Sequence, residues 1–202
     1  MIEPQNKKSA SPKDLVDALG TRNLVFVGLM GAGKTSIGRK VAARLGMPFA
    51  DSDKEIEEAS RMTIPELFER YGETEFRALE ERVLHRLLSE GRRVISTGGG
   101  AFMNPTIRNE IAQTGVSVWL KADFETLMDR VARNKNRPLL RDPDPAGVMR
   151  RLMEVRYPVY AQADLTVKTR DAHRDVIAGE VLDALAAYLD GVQAIATEAH
   201  SK

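Results

Sequence analysis

The chain has no cysteine, which removes disulfides, thiolate zinc sites and cysteine nucleophiles together and is compatible with a reducing cytosol. Its three histidines, His85, His173 and His200, lie far apart without ligand spacing, so each reads as structural or solvent-exposed. No apolar stretch approaches the roughly 20 residues that a membrane helix needs. The stretch Met1 to Lys13 is polar and carries no signal-peptide pattern, so a cytoplasmic protein is the expectation. Lys and Arg number 30 against 29 Asp and Glu, a formal net charge of +1, which leaves no global bias toward nucleic acid or a membrane surface. There is no internal repeat. What remains, 202 residues at 43% hydrophobic, suffices for one sizeable core.

Within that plain background, Gly28-Leu29-Met30-Gly31-Ala32-Gly33-Lys34-Thr35 matches the phosphate-binding pattern G-x-x-x-x-G-K-[ST] in full. The apolar run Leu24 to Val27 precedes it, and Ile37, Val41, Ala42 and Leu45 follow at helical spacing, with Gly46 as a stop. This is the strand–loop–helix context that the pattern requires. Its glycines let backbone N–H groups converge on an anion at a helix N-terminus. Lys34 can then neutralise β- and γ-phosphates, and the Thr35 hydroxyl can reach Mg²⁺. The chain binds a nucleoside triphosphate on this reading.

Short apolar runs alternate with helical patterns along the rest of the chain. Strands are expected at Leu24 to Val27, Pro48 to Ala50, Arg93 to Ser96, Val116 to Leu120 and Leu165 to Val167. Helices are expected at Lys34 to Leu45, Lys54 to Ala59, Ile64 to Arg70, Thr74 to Ser89, Thr106 to Gln113, Phe124 to Arg133, Gly147 to Tyr157 and Arg174 to Leu189. Such alternation implies an α/β fold, a parallel sheet covered on both faces. Ser11-Pro12 opens one extra short helix ending at Gly20, expected to pack against the sheet edge. The polar, Pro- and Asp-rich segment Asn134 to Ala146 reads as a mobile loop, and Met1 to Ala10 as a frayed tail. The chain thus divides into an extension over 1–22, a single domain over 23–190 with a lid at about 134–147, and a tail over 191–202.

In an open α/β sheet, ligands gather at the carboxyl ends of the strands. The second strand ends in Asp51-Ser52-Asp53, where carboxylates at i and i+2 of extended chain point the same way. One can hold Mg²⁺ through water and the other can accept a proton from a hydroxyl substrate. Equally, Ser52 and Glu55 have capping-box spacing, so the cluster can simply start a helix. The third strand ends in Thr97-Gly98-Gly99-Gly100, a run that brings bare N–H groups close to a ligand. Arg77 can be an exposed helix arginine paired with Glu73, Glu80 or Glu81, and Arg156 can complement a helix C-terminus at Arg156-Tyr157-Pro158. Arg137 stands in the loop before Pro138. Guanidinium is nevertheless the preferred partner of carboxylate and phosphate, which makes these three candidates together.

From Leu24 to Leu189 the chain resembles the shikimate kinases. The matching pieces are Gly28 to Arg39, Asp51-Ser52-Asp53, Glu75-Phe76-Arg77, Thr97 to Gly100, Arg137-Pro138-Leu139-Leu140 and Arg156-Tyr157-Pro158-Val159-Tyr160. The resemblance implies a three-layer α/β/α P-loop kinase with five parallel strands in the order 2-3-1-4-5, normally monomeric. The implied reaction moves the γ-phosphoryl group of ATP to the 3-hydroxyl of shikimate, within chorismate and aromatic amino acid biosynthesis. By the same likeness Asp53 is the base and hydrogen-bonds the substrate hydroxyls, while Arg77 and Arg156 clamp the carboxylate beside Gly98, Gly99 and Gly100. Gly31, Ala32, Gly33, Lys34, Thr35 and Ser36 would surround the ATP phosphates. Arg137 would swing onto them from the lid, and Arg130 would stack on adenine. Mg²⁺ would be held by Thr35 and, through water, by Asp51. The 168–171 stretch, where the family often contacts adenine, does not align cleanly.

Three other readings keep the phosphate loop. A GTPase needs Asn-Lys-x-Asp, but Asn134-Lys135-Asn136-Arg137 has Arg in the last place. A gluconate or nucleoside monophosphate kinase would not need Asp53, Arg77 and Arg156 together. A nucleotide-binding protein without turnover would not need both a hydroxyl-facing Asp and a lid arginine.

Overall fold

Residues Asn23–Val27 form a strand (β1) that is buried along its whole length, as an apolar run at the centre of a parallel sheet must be. The computed structural model, which describes residues 10–133 and 142–200, adds Phe49–Asp51 (β2), Val94–Ser96 (β3), Gly115–Ala122 (β4) and Leu165–Thr169 (β5). All pairings are parallel, in the order β2-β3-β1-β4-β5 that the resemblance implies. Burial alternates along β5, an outer strand, where Thr166 and Lys168 face solvent. Each strand lies within two residues of its expected bounds.

Helices cover the sheet because the crossovers between parallel strands carry them there. Lys34–Leu45 (α2) follows β1 and buries Ile37, Val41, Ala42 and Leu45, the periodic face seen in the sequence. Gly38 lets this helix approach closely, since a Cβ there would stand 3.0 Å from the Phe49 ring and 3.4 Å from Phe26. Ser52–Ser60 (α3) and Ile64–Ser89 (α4) follow β2; α4 breaks at Gly72, whose φ of 78° lies outside helical space, so it corresponds to the two expected helices. A 3₁₀ turn at Ala101–Met103, then Pro105–Thr114 (α5), Phe124–Ala132 (α6), Pro145–Tyr160 (α7) and Arg174–His200 (α8) complete the succession. Buried Asn23 ties the sheet to the helix ends, donating to the carbonyls of Leu88 and Thr114 and accepting from Arg93 N–H.

Several boundaries differ from expectation. Helix α7 begins at Pro145 and is capped by Asp144, so its first turn occupies part of the expected lid. Residues 134–141, with Arg137, lie outside the described residues. The same helix runs through Pro158, which has no N–H to give the carbonyl at position 154, so Arg156 lies inside the helix and not at its end. Helix α8 continues to His200 and takes in most of the expected tail. The extra helix, Pro12–Leu19 (α1), has a Ser11/Asp14 capping box and buries Leu15 and Leu19. It packs on α2 and α8, not on the sheet edge, and Arg92 donates to its Val16 and Gly20 carbonyls at 2.7 and 2.6 Å.

Candidate active site

The loop after β1 turns on Gly28, Gly31 and Gly33, with φ of 135°, 83° and 95°, values that L side chains rarely adopt. Gly28 has no room for a side chain either, since a Cβ would meet the Leu120 carbonyl at 2.9 Å and the Trp119 ring at 3.4 Å. Helix α2 starts on left-handed Gly33 with no side-chain cap, so its first N–H groups face the loop. Buried Lys34 arches back over the loop and donates to the Gly28 and Leu29 carbonyls at 2.8 and 3.0 Å. The shape is an anion nest with a cation across its mouth.

Beside it, Thr35 Oγ1 donates to Asp51 Oδ2 at 2.6 Å and lies 3.3 Å from Ser96 Oγ. Hydroxyl and carboxylate oxygens at the edge of a phosphate nest are donors that suit Mg²⁺, which takes one or two protein oxygens and completes its shell with phosphate and water. Asp51 also caps α3, accepting from Asp53 N–H at 3.2 Å. The capping role foreseen for Ser52 therefore belongs to Asp51. Fully buried Ser52 instead accepts from Gly98 N–H at 3.0 Å, which binds the end of β2 to the glycine run.

Three side chains meet at that run. A Cβ on Gly98 would stand 2.7 Å from Asp53 Oδ1, one on Gly99 would stand 3.5 Å from Arg156 Nη1, and one on Gly100 would stand 2.5 Å from Arg77 Nη1. None of the three glycines has a positive φ. Gly98 and Gly100 are small because the side chains converging on them need the volume, whereas at Gly99 a Cβ would meet only ordinary contact. Arg77 donates to Glu80 at 2.7 Å and to Glu73 at 3.1 Å, so the helix pairing foreseen for it is also present. Arg156 donates to the Gly99 carbonyl at 3.0 Å.

Glu80 has a larger part than its sequence position announces. It is 1% exposed, Oε2 accepts from Arg77, and Oε1 has no hydrogen-bond partner among the described residues. Oε1 would lie 2.9 Å from a Gly98 Cβ, so Glu80 and Asp53 flank that glycine. Burial pushes the Glu80 carboxyl above the ordinary carboxylate range, although Arg77 pulls it down. An acid at an apolar helix position, in register with Phe76, Val83, Leu84 and Leu87, is the sequence signal that would have found it.

Lys34, Thr35, Asp51, Asp53, Gly99 and Arg130 line one cleft of about 640 Å³. Arg130 bridges the phosphate loop and the β5–α8 turn, donating to the Gly31 carbonyl at 3.2 Å and the Arg170 carbonyl at 2.6 Å. Burial lowers its pKa, although a guanidinium stays charged. That turn adds Asp171, Ala172 and Arg174 to the cleft wall, residues that the sequence left unassigned. It is fastened to α2 by Asp175, which accepts from Lys40 at 2.9 Å and Arg44 at 3.3 Å. The cleft thus has two flanks about β1, with Asp53 and Gly99 on the β2–β3 side and Arg130, Asp171, Ala172 and Arg174 on the β4–β5 side, while Arg77 and Arg156 do not line it and reach it only through their contacts at the glycine run. From α7, Arg156 and Tyr160 both donate to the Gly99 carbonyl.

A family model described as shikimate kinase matches residues 30–186. A shikimate kinase from Mesorhizobium japonicum is 61% identical over 191 residues, 95% of this chain and 94% of that protein. The solved structure of shikimate kinase from Acinetobacter baumannii in complex with shikimate has a TM-score of 0.81 at 38% identity, covering 86% of this chain and 97% of that one. A gluconokinase from Sinorhizobium meliloti, with a TM-score of 0.54 and 17% identity over 86% of this chain and 96% of that one, shares the fold alone.

Proposed function

The chain belongs to the shikimate kinase family, and from that membership we infer that it transfers the γ-phosphoryl group of ATP to the 3-hydroxyl of shikimate, giving shikimate 3-phosphate and ADP. The observation that carries the reading is the meeting of one carboxylate and two guanidinium groups, Asp53, Arg77 and Arg156, at Gly98–Gly100, with Asp53 in the same cleft as Lys34.

Each residue has a task that follows from its place. Phosphoryl transfer asks little covalent help, so alignment and neutralisation of charge dominate. Arg77 and Arg156 bind the acceptor carboxylate with charge-assisted bonds worth roughly 1.5–3 kcal/mol each. That anchorage opposes the repulsion between an anionic acceptor and anionic ATP. Asp53 accepts the proton of the attacking hydroxyl. Lys34 exchanges its loop carbonyls for the β- and γ-phosphates, and Gly31 to Ser36 supply the nest around them. Thr35 and, through water, Asp51 would hold Mg²⁺, which would neutralise phosphate charge. Arg130 would stack on the adenine, and Arg137, outside the described residues, would add positive charge at the phosphates. The kinase domain spans 23–190 and acts as a cytoplasmic monomer without nucleic-acid or membrane partners. Among the described residues no helix is long and apolar enough to cross a membrane.

The test is ADP release by purified protein with Mg-ATP, alone and with shikimate, gluconate or AMP. Release dependent on shikimate supports the reading. Release with another acceptor would leave the fold standing and remove the substrate, and ATP binding without acceptor-dependent turnover would make the chain a binding protein.

A further inference from the structure

Tyr160 ends α7, one turn beyond Arg156, and its side chain is fully buried. The ring sits among Trp119, Tyr157 and Phe102, at centroid distances of 6.0, 6.3 and 6.4 Å. Phenylalanine would fill that space as well, so the hydroxyl needs its own reason. It donates to the Gly99 carbonyl oxygen, the same atom that accepts from Arg156 Nη1 at 3.0 Å. A carbonyl oxygen has two lone pairs, and both are taken here by residues at i and i+4 of one helix, which share a face. Burial pushes the Tyr160 phenol up, so it remains a neutral donor throughout the working range.

Arg156 cannot serve the Gly99 carbonyl and an acceptor carboxylate equally well through the same N–H. We propose that Tyr160 is a positioning residue for acceptor binding: its hydroxyl keeps the Gly99 carbonyl satisfied and the glycine turn in place while the Arg156 guanidinium turns to the substrate carboxylate. This rests on Arg156 as a carboxylate ligand, as read above. Without the hydroxyl, the carbonyl depends on the Arg156 N–H alone, so turning the guanidinium to the substrate takes that donor from the carbonyl. The nucleotide flank does not depend on that oxygen.

The test compares Tyr160→Phe with Tyr157→Phe. The Tyr157 hydroxyl belongs to the same aromatic cluster but donates to the Ala122 carbonyl, away from the glycine turn. For Tyr160→Phe the expected result is a KM for shikimate raised about 5- to 20-fold, from a donor lost at one carbonyl. Its kcat and its KM for ATP stay within twofold. Tyr157→Phe leaves both KM values unchanged. The proposal is overturned by an unchanged shikimate KM in Tyr160→Phe, by shikimate and ATP KM rising together, by an equal effect of Tyr157→Phe, or by failure of Tyr160→Phe to fold, which would make the hydroxyl a stability element. A wild-type protein that does not phosphorylate shikimate would instead refute the functional reading itself, and this inference with it.

Discussion

Substituting alanine in turn at Gly98, Gly99 and Gly100 separates the volume of this turn from its backbone freedom. Gly100 has φ −97° and ψ −17°, which alanine adopts without strain. The added Cβ would stand 2.5 and 2.6 Å from the two terminal nitrogens of Arg77, against about 3.4 Å for ordinary contact. The guanidinium must therefore retreat by about 0.9 Å, the difference between 3.4 and 2.5 Å. It ends a flexible side chain, so folding is little affected, but it leaves the place where it meets Glu80 and the acceptor. Losing one charge-assisted bond of roughly 1.5–3 kcal/mol lowers kcat/KM for shikimate about 10- to 100-fold, at a tenfold change per 1.4 kcal/mol. KM for ATP does not change. Gly99→Ala meets Arg156, the Gly28 carbonyl and Met30 N at 3.5 to 3.6 Å, ordinary contact, and costs less than about threefold. Gly98→Ala drives into Asp53 and Glu80 and lowers kcat as well. The assay is coupled ADP release at saturating ATP with shikimate varied. A Gly99 variant as damaged as the Gly100 variant, or a Gly100 variant within twofold of wild type, would refute the reasoning.

Asp53→Asn is expected to reduce kcat by roughly 10²–10⁴-fold, the usual range for a lost general base; near-normal kcat with a raised shikimate KM would reduce Asp53 to holding the hydroxyls. Glu80 titrates above its unfolded range, so its contribution to stability is fully present below about pH 4.3 and is lost as pH rises through its folded pKa. The unfolding temperature of Glu80→Gln minus that of wild type should therefore climb as pH rises from the ordinary carboxylate range, and a flat or falling difference would contradict the burial assigned to this acid. Leu19→Ala in α1 removes a side chain 1% exposed and should cost about 2–5 kcal/mol, read as a lower Tm with kcat unchanged at 25 °C. A fall in kcat with Tm intact would give α1 a catalytic role that its packing on α2 and α8 does not suggest.

Much of the frame is local and hence readable. The phosphate loop is eight contiguous residues, and the five strands are short apolar runs bounded by turn residues, so both survive without knowledge of the fold. Asp53, Arg77 and Arg156 were legible as a set only through the resemblance, because each alone has an ordinary helical explanation. What escaped depends on contacts between distant segments. The reason for Gly98 and Gly100 is side-chain volume arriving from α3 and α4, which the run itself does not encode. Glu80 looked like a partner of Arg77, and its burial follows from the docking of the apolar stripe of α4. Asp171 to Arg174 carry no periodicity and reach the cleft only because β5 lies beside β4. Helix α8 outruns its expected end because the good helix formers after Leu189 carry it across Gly191, whose cost of about 1 kcal/mol is tolerable.

The two flanks about β1 bear on how such a protein is inherited and altered. After a gene duplication, one copy can accumulate changes on the β2–β3 side and acquire another small-molecule acceptor while its nucleotide half passes down unaltered. Arg156 would limit that freedom, since it reaches from α7 to the Gly99 carbonyl. A descendant that takes an acceptor without a carboxylate would have no use for the Arg156 charge there, while Tyr160 would still serve the Gly99 carbonyl.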